Sequence, residues 1–144
     1  DIAGNLIDIA RERTPADLGG GSVAFSTGDM LDPAAGYFDH VVAMDSLIHY
    51  PARDIVGVLA GLAHRTTGSI VFTFAPRTPA LAAMHLVGRA FPRGDRAPAI
   101  EPVTEARLVG LIEGDGRLAG WRTGRTLRVA RGFYISQALE LVRS

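Results

Sequence analysis

At 144 residues, with 47% hydrophobic and 21% charged, the chain fits one soluble domain with a single core and excludes a disordered segment. Fifteen acidic residues balance fifteen basic ones, all arginine (read as codon bias, not phosphate recognition), so no net field draws in nucleic acid or an anionic membrane. The absence of cysteine removes disulfides, thiolate metal sites and cysteine nucleophiles and suits a reducing cytoplasm. No apolar run reaches the ~18 residues of a membrane span, which leaves only peripheral membrane contact open.

The opening DIAGNLIDIARER has no strand or starter methionine before it and reads as the beginning of a fragment whose N-terminal part is absent. Leu6, Ile9 and Ala10 at helical spacing predict a helix over 5–13. DLGGGS at 17–22 is a turn, and Val23 and Phe25 predict a short strand ending at Gly28. A second strand is expected over 38–44 and a helix over 53–64, with Ile55, Val58, Leu59 and Leu62 on one face. Thr67 and Gly68 punctuate the chain before SIVFTFA at 69–75, an apolar, β-branched run of the kind a strand covered on both faces needs. A helix is predicted over 79–91, a proline-rich loop over 92–102, and a helix after Thr104 that Gly114 to Gly116 end. Strand-like alternation over 122–130 and 133–141, split by Arg131 and Gly132, predicts a hairpin. Strands alternating with helices imply a mainly parallel sheet, here closing in an antiparallel pair.

Open α/β sheets bind ligands beyond the carboxyl ends of their strands. Asp1, Asp29 and Asp45 occupy such positions. A carboxylate at the first can take both hydroxyls of a ribose, and one at the second can accept from an adenine amine, with Met30 covering the purine. The alternative, equally open for Asp29 and Asp32, is a turn residue bonding its own backbone. Gly19 to Gly21 precede a strand and lack a phosphate-loop pattern, so they form a turn. His40 and His85 read as surface or packing residues and His64 as a helix terminus. His49, beside Tyr50 and near Asp45, divides between a helix-entry turn and an active-site role. No HxxxH or HExxH spacing predicts a metal site, and Ser46 lacks a nucleophile elbow.

Taken together, DIAGNLIDIARER, FSTGDM, FDHVVAMDSLIHYP, IVFTFAPRTP, FPRGDRAPAI and GFYISQALELV resemble, in order, the blocks of the magnesium protoporphyrin IX methyltransferase family. The resemblance covers nearly the whole chain, and its IHYP and TFAPRTP segments are the most specific. It implies an α/β, Rossmann-like class I methyltransferase sheet, mainly parallel with an antiparallel terminal hairpin, and with its N-terminal strands missing. Residues 1–144 would form a single truncated domain with a cap-like insertion at 76–102. The family's glycine-rich loop has no counterpart in this sequence.

What the resemblance implies for the site follows residue by residue. The cofactor would be S-adenosyl-L-methionine, with Asp1 and Ile2 on its ribose, Asp29 and Met30 on its adenine, and Asp45 at its methionine end. His49 would stand near a propionate of Mg-protoporphyrin IX, supported by Tyr50, and Arg77, Arg93 and Arg96 would bind the second propionate. Contact with a magnesium chelatase subunit stays open, as do two other readings: a methyltransferase for a quinone or similar acceptor, and a non-catalytic fragment that binds no cofactor. A cytoplasmic protein is expected, with peripheral contact to the photosynthetic membrane left open.

Overall fold

A computed structural model describes residues 3–77, 100–131 and 134–144. The chain divides into two units, 1–36 and 37–144. The first holds helix α1 (Gly4–Arg13), which buries no residue and leaves Leu6 and Ile9 exposed. Asp17 accepts from the Gly19 N–H at 2.8 Å to fix the glycine-rich turn, as predicted. The guanidinium of Arg11 lies over the Phe25 ring at 5.8 Å. The strand expected from Val23 does not form, because the stretch has no ladder partner among the described residues.

In the second unit β1 (Phe38–Ala43) leads through a loop to α2 (Ala52–Ala63), then to β2 (Thr66–Phe74). After residues 78–99 come α3 (Glu105–Glu113), a 3₁₀ turn at Gly116–Leu118, β3 (Trp121–Arg131) and β4 (Tyr134–Arg143). The strand order is β1-β2-β4-β3; β1 and β2 run parallel, while β4 is antiparallel to both its neighbours. The predicted helix over 79–91 and most of the loop over 92–102 lie outside the described residues.

The core fills one face of this sheet. Ile55, Leu59 and Leu62 recur at helical spacing on α2 and bury against Ile70, Phe72 and Phe74, whose odd-numbered neighbours face the other way. Leu108 and Ile112 from α3 and Leu139 and Leu141 from β4 complete it. Each such side chain contributes roughly 1.5–3 kcal/mol when fully buried.

Two polar devices fix the hairpin. Buried Gln137 uses all four of its hydrogen-bonding sites: Arg128 Nε and Nη2 donate to its Oε1, and its Nε2 donates to Glu105 and Thr126. That ties β3 and β4 to the first turn of α3. Arg125 donates twice from its guanidinium and once from its backbone to Glu140, beside the register shift between Thr123 and Thr126. This bonding pulls the Glu140 carboxyl down to about 2.

Thr67 and Gly68 do not interrupt the chain, as the sequence reading expected, but lie inside β2. Gly68 serves close backbone approach instead of a turn. A Cβ there would sit 2.6 Å from the Asp39 carbonyl oxygen and 2.7 Å from the His40 ring, next to the register shift between Phe38 and His40. Alanine gains only about 0.5–1 kcal/mol of backbone entropy, while overpacking costs roughly 1–3 kcal/mol. The clash should win. Gly68→Ala in the full-length protein is expected to lower the urea midpoint, and an unchanged or raised midpoint would disprove the close-approach account.

Candidate functional site

The loop between β1 and α2 leaves the sheet at the carboxyl ends of the two parallel strands. Ala43, at the end of β1, is the one buried residue of that strand, Met44 turns out to solvent, and Asp45 follows in the left-handed region at φ 52°. An L residue there costs roughly 1–2 kcal/mol, least for Asn and Asp, so neighbouring bonds must hold it. Thr73 on β2 does so through one hydroxyl. Its Oγ1 accepts from the Asp45 N–H at 2.7 Å and donates to Asp45 Oδ1 at 3.0 Å. The phenol of Tyr134, opening β4, donates to the same carboxylate, at 3.0 Å to Oδ2.

The rest of the loop is anchored from below. Leu47 is completely buried in the core, and Ser46 donates to the Met44 carbonyl at 3.1 Å. The Tyr50 N–H closes a turn onto Leu47, and Pro51 then starts α2. His49 is half-buried and Tyr50 exposed. The sequence thus sets Asp45, His49 and Tyr50 in one loop, and the fold adds Thr73 and Tyr134 to its acidic end.

The chain also returns to this loop after residues 78–99. The Glu101 N–H donates to the Ile48 carbonyl, Val103 donates to Ala75, and Arg77 donates to Val103, each at 2.9 Å. The two ends of that segment are therefore pinned side by side at the carboxyl end of β2. Arg77 lines a depression of about 130 Å³ with Pro51, Ala52, Glu101, Thr104 and Arg107. That is room for a carboxylate-sized group, well below the roughly 300–1,000 Å³ of a pocket for a larger ligand.

Asp29 and Met30 belong to the first unit. Asp29 Oδ1 accepts from the Leu31 N–H at 2.9 Å and Asp32 Oδ1 from the Ala34 N–H at 2.9 Å, so both make the turn bonds their residue type favours. Met30 is exposed. Asp1, Ile2, Arg93 and Arg96 lie outside the described residues. Thr73 and Tyr134 were not singled out from the sequence; only the register of β2 against β4 brings residues 89 positions apart to one carboxylate. Among the described residues no group of three acidic or histidine side chains is placed to hold a metal ion, and no helix is long and apolar enough to cross a membrane.

The chain is 50% identical, over 97% of its length, to magnesium-protoporphyrin O-methyltransferase of Rhodobacter capsulatus, and 30% identical over its full length to that of Synechocystis. It spans 59% and 61% of those relatives. The crystal structure of the Synechocystis magnesium protoporphyrin IX methyltransferase with bound SAH matches the whole chain and 62% of its own, with a TM-score of 0.79 at 29% identity. The model of the magnesium-protoporphyrin IX methyltransferase C-terminus matches residues 43–143, which begin at the end of β1 and run through the terminal hairpin. With the β1–α2 loop, β2 and the terminal hairpin all inside that match, the chain belongs to the magnesium-protoporphyrin IX methyltransferase family.

Proposed function

We propose that the chain is part of an enzyme that transfers a methyl group from S-adenosyl-L-methionine to a propionate of Mg-protoporphyrin IX, giving the monomethyl ester of (bacterio)chlorophyll biosynthesis. The observation that carries this reading is the β1–α2 loop: Asp45, His49 and Tyr50 leave the sheet at its ligand-binding end in a chain half identical to a named enzyme of this activity. The Asp45 carboxylate has about four acceptor sites and gives two to hydroxyls, so it retains capacity for a cationic group such as the donor's ammonium. The cofactor assignments for Asp1, Ile2, Asp29 and Met30 rest on the family resemblance.

S-adenosylmethionine, when bound, supplies a methyl carbon activated by an adjacent sulfonium. The propionate oxygen forms the new C–O bond, the old C–S bond breaks with its electron pair going to sulfur, and no proton moves. A propionate resembles a glutamate side chain, with a pKa of about 4.3, and is ionised at neutral pH. No base is required. His49 holds the carboxylate in line by hydrogen bonding and Tyr50 supports it, so that orientation does most of the work. Arg77, at the small depression near the start of α2, holds the second propionate by charge, with Arg93 and Arg96 in the same role. By the family resemblance residues 76–102 would serve as the cap over the macrocycle, and the Glu101 N–H near the end of that span bonds to the Ile48 carbonyl of the β1–α2 loop.

A methyl-transfer assay with Mg-protoporphyrin IX on the full-length protein tests the proposal. Formation of the monomethyl ester, with a quinone acceptor left unmethylated, is the expected result. Turnover of the quinone alone, or no binding of S-adenosylhomocysteine at all, would overturn it.

A further inference from the structure

Three neighbouring strands each send one side chain to a single point at the carboxyl edge of the sheet: Asp45 just past β1, Thr73 in β2 and Tyr134 at the start of β4. The geometry points to Tyr134 and Thr73 as positioning residues for the methyl donor, holding the Asp45 carboxylate in a fixed orientation toward the donor's charged amino-acid tail. This inference rests on the reading of Asp45 given above.

The argument starts from the backbone. Asp45 is the only residue other than glycine with positive φ among those described, and strain of this kind persists only where surroundings enforce it. Thr73 closes a ring with it, accepting from its N–H and donating to its side chain, so one hydroxyl fixes both backbone and carboxylate. Tyr134 acts from farther away. Because β2 lies between β1 and β4, its phenol reaches across two strand spacings, roughly 9.5 Å. Both hydroxyls approach as donors, and the carboxylate keeps further acceptor sites for a cation.

The register supports a site over a mere strut. Thr73 pairs with Ala138, so Thr73, Ala138, Ser136 and Tyr134 share the face opposite the Phe72–Phe74 core. Ser136 on that face is buried, and its hydroxyl has no hydrogen-bond partner among the described residues. A buried hydroxyl without a partner is rare in a finished interior, and it sits two residues along the strand from the tyrosine that holds Asp45.

The test uses the full-length protein. Tyr134→Phe keeps the ring and removes only the donor. It should weaken S-adenosylhomocysteine binding by calorimetry about tenfold and raise KM for the methyl donor by a similar factor, with kcat changed less than about twofold. Thr73→Val should produce the same pattern, and the double variant should lose little more than the worse single one, since both act through one carboxylate. Thr73→Ser should restore binding. If the wild type binds S-adenosylhomocysteine and both single variants bind it equally well, the positioning role is wrong. Additive losses, or losses in which kcat falls and KM stays put, would also refute it. A wild-type protein that binds no S-adenosylhomocysteine would instead bring down the underlying reading of Asp45 together with this one.

Discussion

His49→Ala in the full-length protein should lower kcat for Mg-protoporphyrin IX methylation about 100-fold, the scale on which loss of alignment costs an enzyme its rate. His49→Asn should recover about tenfold of that, because an amide still donates one hydrogen bond to a carboxylate. The prediction separates positioning from proton abstraction. A general base contributes roughly 10²–10⁴-fold, so magnitude alone cannot decide between the two roles. The asparagine variant can, since it keeps a donor and lacks any basic nitrogen. Equal losses in both variants, with a histidine-like inflection near pH 6.5 in the wild-type rate profile, would establish base chemistry and sink the positioning account. The loop itself should survive either change. Leu47 is buried in the core, the Ile48 carbonyl accepts from the Glu101 N–H, and the Tyr50 N–H bonds to the Leu47 carbonyl, so the backbone on both sides of His49 is anchored without the imidazole. Matching thermal midpoints for wild type and variants would check this.

How far the sequence carried the structure depends on which physical signal each element leaves. The apolar run of β2 and the helical spacing of α2 and α3 were legible because burial is written into residue type and period, whereas β1 formed as expected with only Ala43 buried. Thr104 does stand at the start of α3, and Gly114 at its end. Val23 and Phe25 carry the same strand-like pattern, yet a pattern without a neighbouring ladder yields no strand. Gly68 misled in the opposite sense: a glycine needed for close approach inside a strand looks, in one dimension, like a glycine needed for a turn. The site was legible in part for the same reason. Asp45, His49 and Tyr50 fall within six consecutive positions, so a single motif displayed them. Thr73 and Tyr134 reach Asp45 only through pairing register, which composition and spacing do not encode, and the left-handed backbone of Asp45 has no sequence signature beyond the tolerance of aspartate for it.

Asp45 is where backbone and chemistry can be taken apart, and three substitutions in the full-length protein do it. Alanine removes the carboxylate and also puts a Cβ residue without a local hydrogen-bonding side chain at φ 52°, adding roughly 1–2 kcal/mol of strain. Glycine removes the carboxylate but takes that conformation freely. Asparagine tolerates the conformation and retains an oxygen for Thr73 and Tyr134, while losing the charge. Urea denaturation should therefore find Asp45→Ala the least stable of the three. Calorimetry with S-adenosylhomocysteine should follow a different order: asparagine weakened by about tenfold, glycine and alanine by about 100-fold and alike. The two rankings diverge because stability responds to the φ angle and binding to the negative charge. Should Asp45→Gly bind as tightly as wild type, the loop would be supplying shape alone and the carboxylate would have no part in holding the donor. Should glycine fall with alanine in binding while exceeding it in stability, the strain at Asp45 is the means by which a charged group is kept at the end of the sheet where the ligand arrives.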